Sequence, residues 1–221
     1  MSDNRITVSK QDPPKRSLIE EVGNSVTHGV GALLSAVATV LMYIGADATD
    51  EYVGATIYGI GLFIMFTMSA LYHAFPHGSA VKRLFRRFDY SCIYILIGAT
   101  FAPILIAYIG GLYGYAFLTV QWCVIVFGVT LVAVFGPAQF RGLRMALYLI
   151  LGWSGLMLLP EMVKNGDFGF LFWILGGGVV YSVGIIPYAL KGRASHFIWH
   201  FFVIFGALVQ WIGIYTQIYL A

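Results

Sequence analysis

The sequence predicts an all-α integral membrane protein, a bundle of seven transmembrane helices with its N-terminus cytoplasmic and its C-terminus outside. Three observations carry that prediction. Hydrophobic residues fill 59% of the 221 positions and charged residues only 10%, with a mean hydropathy of +0.82, a balance foreign to soluble domains. The apolar residues fall into seven runs that approach or exceed the roughly 20 needed to cross a bilayer core. The basic residues alternate from loop to loop, which fixes an orientation.

The expected spans are roughly 24–46, 52–75, 89–108, 112–135, 143–161, 168–190 and 197–220, read from the apolar runs. Ahead of the first lies a short polar cytoplasmic segment, residues 1–22, with Pro13, Pro14, Lys15 and Arg16. It lacks the basic, apolar, small-residue order of a cleaved signal, so the first span is expected to act as its own insertion signal. The second span follows a loop with Asp47, Asp50 and Glu51 and carries Gly59 and Gly61, small residues that let helices approach closely. The third opens at Phe88-Asp89-Tyr90, after Lys82, Arg83, Arg86 and Arg87. Gly110 and Gly111 separate it from the fourth, and Arg141 and Arg144 precede the fifth. The sixth, after Lys164, contains the run Gly176, Gly177, Gly178, and the seventh follows Lys191 and Arg193. Short loops leave no room for a second domain, so residues 23–221 are expected to form one seven-span unit. Cys92 and Cys123 both fall inside spans, which argues against a structural disulfide, and no CxxC zinc motif occurs.

The first and third loops carry no Lys or Arg, whereas the second, fourth and sixth do, in register with Arg5, Lys10, Lys15 and Arg16 of the tail. That pattern predicts the cytoplasmic N-terminus, the reverse of G-protein-coupled receptors. A rhodopsin-like reading also lacks a retinal lysine, because Lys164 and Lys191 sit in loops. No strand and no G-x-G-x-x-G loop are predicted, no internal repeat is evident, and no nucleic-acid partner is expected.

Chemistry concentrates near the cytoplasmic ends of the spans. Ionisable groups at membrane depth are costly and are functional candidates by default. The second span ends at Ser69-Ala-Leu-Tyr-His73, the third begins at Asp89, and the seventh begins at His196-Phe-Ile-Trp-His200. Residues four apart share a helix face, so His196 and His200 can hold one ion together. With His73 at the same depth, three imidazoles suffice for a catalytic zinc whose fourth position stays open. Ser69, one turn before His73, can hydrogen-bond a water or a substrate oxygen. Asp89 is the expected partner of a ligating histidine or the general base, although an acid can also simply cap a helix. His28 enters at a similar level, His77 is expected to be solvated, and Cys92 to be a packing residue.

These separated blocks, with Glu20-Glu-Val-Gly-Asn24-Ser-Val-Thr-His28-Gly, resemble the hemolysin III-like bacterial branch of the progestin and adiponectin receptor family over about residues 18 to 220. That family is linked to the alkaline ceramidases. The resemblance implies zinc held by His73, His196 and His200, polar partners at Ser69 and Asp89, and a multi-pass protein of the bacterial inner or plasma membrane. Glu20, Asn24 and His28 match it as support at the cytoplasmic mouth. The short tail and the lack of an extended outer C-terminal segment depart from the animal hormone receptors, so hormone binding is not implied. Three functions follow as expectations: a zinc-dependent, ceramidase-like hydrolase of a membrane lipid amide or ester, a non-enzymatic receptor or regulator with structural zinc, and a membrane-lytic protein.

Overall fold

The computed structural model describes residues 12–190, Gly192 and residues 194–220. Arg5 and Lys10 of the tail, and Lys191 and Arg193 of the sixth loop, lie outside the described residues. Seven helices are long and apolar enough to cross a membrane: α1 Leu18–Gly45, α2 Thr49–Ala74, α3 Ala80–Ile109, α4 Gly111–Phe135, α5 Arg141–Asn165, α6 Phe168–Ala189 and α7 Ser195–Tyr219. Among the described residues there is no strand.

Two helices begin earlier than the apolar runs suggest, because capping rather than hydropathy sets their starts. Ser17 caps α1: its Oγ accepts from Glu20 N at 3.3 Å while Glu20 Oε2 accepts from Ser17 N at 3.1 Å, a reciprocal box that satisfies two otherwise unmet donors. Helix α1 therefore starts within the segment expected to be a polar tail. Ser79 caps α3, accepting from Lys82 N at 3.1 Å, and α3 starts at Ala80 instead of near residue 89. Lys82, Arg83, Arg86 and Arg87 thus lie on a helix and not in a loop. Asp89 is more than two turns inside that helix, so it does not cap it.

In lipid, apolar side chains gain nothing by leaving hydrocarbon, and helix association rests on close packing. Helix α3 is the most enclosed span, with 67% of its apolar window buried, and α2 follows at 50%, whereas α4, α5 and α6 stand at 22%. The core therefore gathers around α2 and α3, and the outer helices give side chains such as Leu33, Val126 and Phe172 to the lipid. Glycines bring the core helices together: Gly31 lies under Phe66, Gly59 against Thr39 and Gly61 against Ala99. In the triplet on α6 only Gly177 has a close neighbour, the Gln210 side chain of α7.

At Gly54 of α2 the neighbour is backbone that cannot swing aside, since a Cβ there would stand 2.7 Å from the Cα of Pro103. Pro103 donates no N–H, and the chain beyond it continues as a wider π-helical turn, Ile104–Ile109, before Gly110 and Gly111 reverse it at φ 61° and 58°. Gly54→Ala is therefore expected to destabilise the protein by about 1–3 kcal/mol, the usual cost of overpacking. A thermal unfolding curve in detergent should show the lower midpoint.

Candidate metal centre

The last turn of α2 presents His73, and the first two turns of α7 present His196 and His200. Their starting points are held from α1. Glu20, already part of the Ser17 cap, accepts from Ala194 N at 2.6 Å through Oε1. Ala194 adopts a left-handed conformation, φ 60°, unusual for a side chain with a Cβ. Glu20 thus ties the N-terminal end of α1 to the first turn of α7 and sets where the two histidines fall.

The three imidazoles converge through one nitrogen each. His73 Nε2 stands 3.3 Å from His196 Nε2, which stands 3.3 Å from His200 Nε2, and the donor atoms of all three lie within 4.8 Å of one another. Metal–nitrogen bonds of 2.0–2.1 Å in tetrahedral geometry put ligand nitrogens about 3.3–3.4 Å apart. His73 Nδ1 donates to Glu21 Oε2 at 2.6 Å, which leaves the lone pair of a neutral His73 on Nε2, facing the other two rings. Three nitrogens, on two buried rings and the half-buried ring of His196, at least one with an inward lone pair, fit a cation better than they fit one another. The group can hold a metal ion.

Glu21 was not among the residues singled out from the sequence, where the carboxylate partner was assigned to Asp89. It bridges two groups: Oε2 takes His73, and Oε1 lies 3.1 Å from Lys82 Nζ. Lys82 is 1% exposed. Its ammonium donates to the carbonyls of Tyr72 at 3.0 Å, Phe75 at 2.9 Å and His73 at 3.4 Å, so it satisfies the unpaired end of α2 where a cation suits the helix dipole. One lysine thereby anchors the His73 turn and the carboxylate that orients the His73 ring.

Asn24 is fully buried, with Nδ2 3.4 Å from His73 Nδ1. His28 lies deeper than a mouth residue. Its ring stacks on His200 at 3.7 Å between centroids, and both its nitrogens lack partners among the described residues. Ser69 and Asp89 lie beside each other, with the His73 ring close to Asp89. Cys92 is buried and unpaired, and exposed His77 bonds the carbonyl of Pro13 at 3.0 Å.

Ser69, Asp89, His28, His196 and His200 all line one cavity, which spans about 1150 Å³ when the open space at its mouth is counted. From the histidines it runs between α3, α5, α6 and α7, past Ile97, Phe101, Trp153 and Val203. Its wall is mainly apolar, and Leu149 of α5, partly exposed on the protein's outer face, belongs to it. The arrangement is a cluster of ionisable groups at one end of a cavity with a mainly apolar wall.

Comparison with known proteins agrees with this architecture. A family model described as "Haemolysin-III related" matches residues 16–211. "Hemolysin-3" of Bacillus cereus is 32% identical over 195 residues, 86% of this chain and 88% of the relative. The "Hemolysin-3 homolog" of Bacillus subtilis (strain 168) is also 32% identical over 195 residues, 85% of this chain and 89% of the relative. "Monocyte to macrophage differentiation factor" of Homo sapiens is 27% identical over 214 residues, 93% of this chain and 87% of the relative.

Proposed function

We propose that this chain, which belongs to the haemolysin-III related family of multi-pass membrane proteins, is a zinc-dependent hydrolase of a lipid amide or ester. The observation that carries the reading is the convergence of three histidine Nε2 atoms, 3.3 Å between neighbours, at the end of an apolar cavity that Asp89 and Ser69 also line. An all-imidazole donor set suits zinc, with one coordination position left for chemistry. When bound there, zinc would supply Lewis acidity, lowering the pKa of water to about 7 and polarising a carbonyl.

The chain's own residues divide the remaining work. Asp89 accepts the proton of the attacking water and returns it to the leaving group, while Ser69 donates a hydrogen bond to the oxygen that gains charge. Glu21, held by Lys82, keeps the His73 ring in one tautomer and orientation. Glu20 fixes α7, and Asn24 packs under His73. The apolar walls take the acyl chain and exclude water. By the charge alternation of the loops the reactive end lies at the cytoplasmic leaflet.

Turnover of a long-chain amide by protein purified in detergent tests this. Activity is expected in wild type and in the surface control Lys164→Ala, with none above background in His73→Ala. Equal activity in all three removes the hydrolase.

A second reading rests on the same ligands, since they join the end of α2 to the start of α7. A metal there would clamp two helices and contribute folding energy without turnover, as in a receptor or regulator. It predicts a lower melting temperature on chelation and no product. The names of the bacillary relatives also suggest lysis. Leakage of dye-loaded liposomes at a low protein-to-lipid ratio would support that third reading.

A further inference from the structure

The cavity does not end in hydrocarbon. Gln210 of α7 lines its far end, ten residues beyond His200, or about 15 Å at 1.5 Å per helical residue. Thr100 of α3 and Tyr181 of α6 line the same end. Opposing glycines hold two of these side chains at the wall: the Tyr181 ring lies on Gly206, and the Gln210 side chain lies in the notch at Gly177. This placement is built into the α6–α7 contact.

The polar atoms there are under-used. The Tyr181 hydroxyl is buried and has no hydrogen-bond partner among the described residues. Thr100 Oγ1 donates to the Leu96 carbonyl at 2.8 Å and has the Tyr58 hydroxyl beside it, which leaves it one acceptor position for a further donor. Ser182, nearby on α6, is by contrast saturated, donating to Gly178 O at 2.8 Å and accepting from Trp153 Nε1 at 3.0 Å. Unmet hydroxyls in the interior of a membrane protein are costly and call for a ligand group or a water. Among the described residues no Lys, Arg, Asp or Glu lines this end, and Asp89, the one carboxylate of the wall among them, belongs to the opposite end. The group that fits is therefore neutral and both donates and accepts.

We propose that Tyr181, Gln210 and Thr100 form a second subsite that takes a hydroxyl carried in mid-chain by the lipid. This rests on the reading of the cavity as the seat of an acyl chain, and it names the class: hydroxylated acyl chains, favoured over plain ones. A chain with its carbonyl among Ser69, Asp89 and the histidines passes Ile97, Phe101 and Val203 and delivers its middle to the subsite. A bound water could satisfy the same atoms, and the experiment separates the two.

The test is displacement of a fluorescent fatty acid from purified wild type by octadecanoic acid and by 12-hydroxyoctadecanoic acid, repeated in Tyr181→Phe and Gln210→Leu. The hydroxy acid is expected to bind about tenfold tighter in wild type, a difference of about 1.4 kcal/mol. In either variant the preference should shrink to within twofold while octadecanoic acid keeps its affinity. Equal affinities in wild type would mean an ordered water only and overturn the subsite, leaving the acyl-chain reading intact. A preference that survives both substitutions also overturns it. Binding of neither acid removes the acyl-chain reading and the subsite together.

Discussion

Asp89→Asn is expected to lower lipid hydrolysis by about 10²–10⁴-fold, the usual contribution of a positioned general base, without loss of metal. The substitution keeps shape and hydrogen bonding but removes the proton acceptor. Asp89 sits inside α3, more than two turns past the Ser79 cap, so a change there does not disturb the helix start. It lies beside Ser69 and close to His73 without being one of the three converging donors. Turnover measured alongside metal content on the same preparation separates the two roles. Lost activity with metal retained assigns Asp89 to the reaction, whereas lost metal makes it a support for the ligands, and undiminished turnover removes it from the mechanism.

Glu21 should show the second large effect, on stability and metal affinity. Glu21→Ala strips the carboxylate from a lysine that is 1% exposed and leaves an ammonium held only by carbonyls. Breaking a buried pair from one side costs roughly 3–5 kcal/mol, read as a lower unfolding midpoint. Glu21→Gln is the gentler probe. It keeps an oxygen for His73 Nδ1, removes the charge that raises the basicity of that ring, and is expected to weaken metal binding by about 10–100-fold. A metal titration of the two proteins decides it, and equal affinities would mean that Glu21 only packs.

Much of this architecture is legible in the sequence. Seven apolar runs became seven helices, because hydrocarbon thickness dictates span length regardless of packing detail. The starts of α1 and α3 were not, since Ser17 and Ser79 extend them into polar sequence where hydropathy has no signal. The histidine trio was legible because His196 and His200 are four residues apart and His73 ends a neighbouring span. Glu21 was legible in principle: it lies three and seven residues before Asn24 and His28, on the face of α1 that is buried. The adjacent Glu20 has a different part, capping α1 and tethering Ala194. Lys82 carried no such mark. A lysine in a basic cluster reads as a solvated, orienting charge, and only the fold of α3 back against the end of α2 turns it inward.

Metal content by inductively coupled plasma mass spectrometry is the most direct measurement on the central claim. It should be made on protein purified without an affinity histidine tag, with wild type beside His73→Ala, His196→Ala and His200→Ala. The account predicts one zinc ion per wild-type chain, held by three imidazoles, and its loss in each variant. Well-folded wild type that carries no metal after zinc is supplied would contradict it.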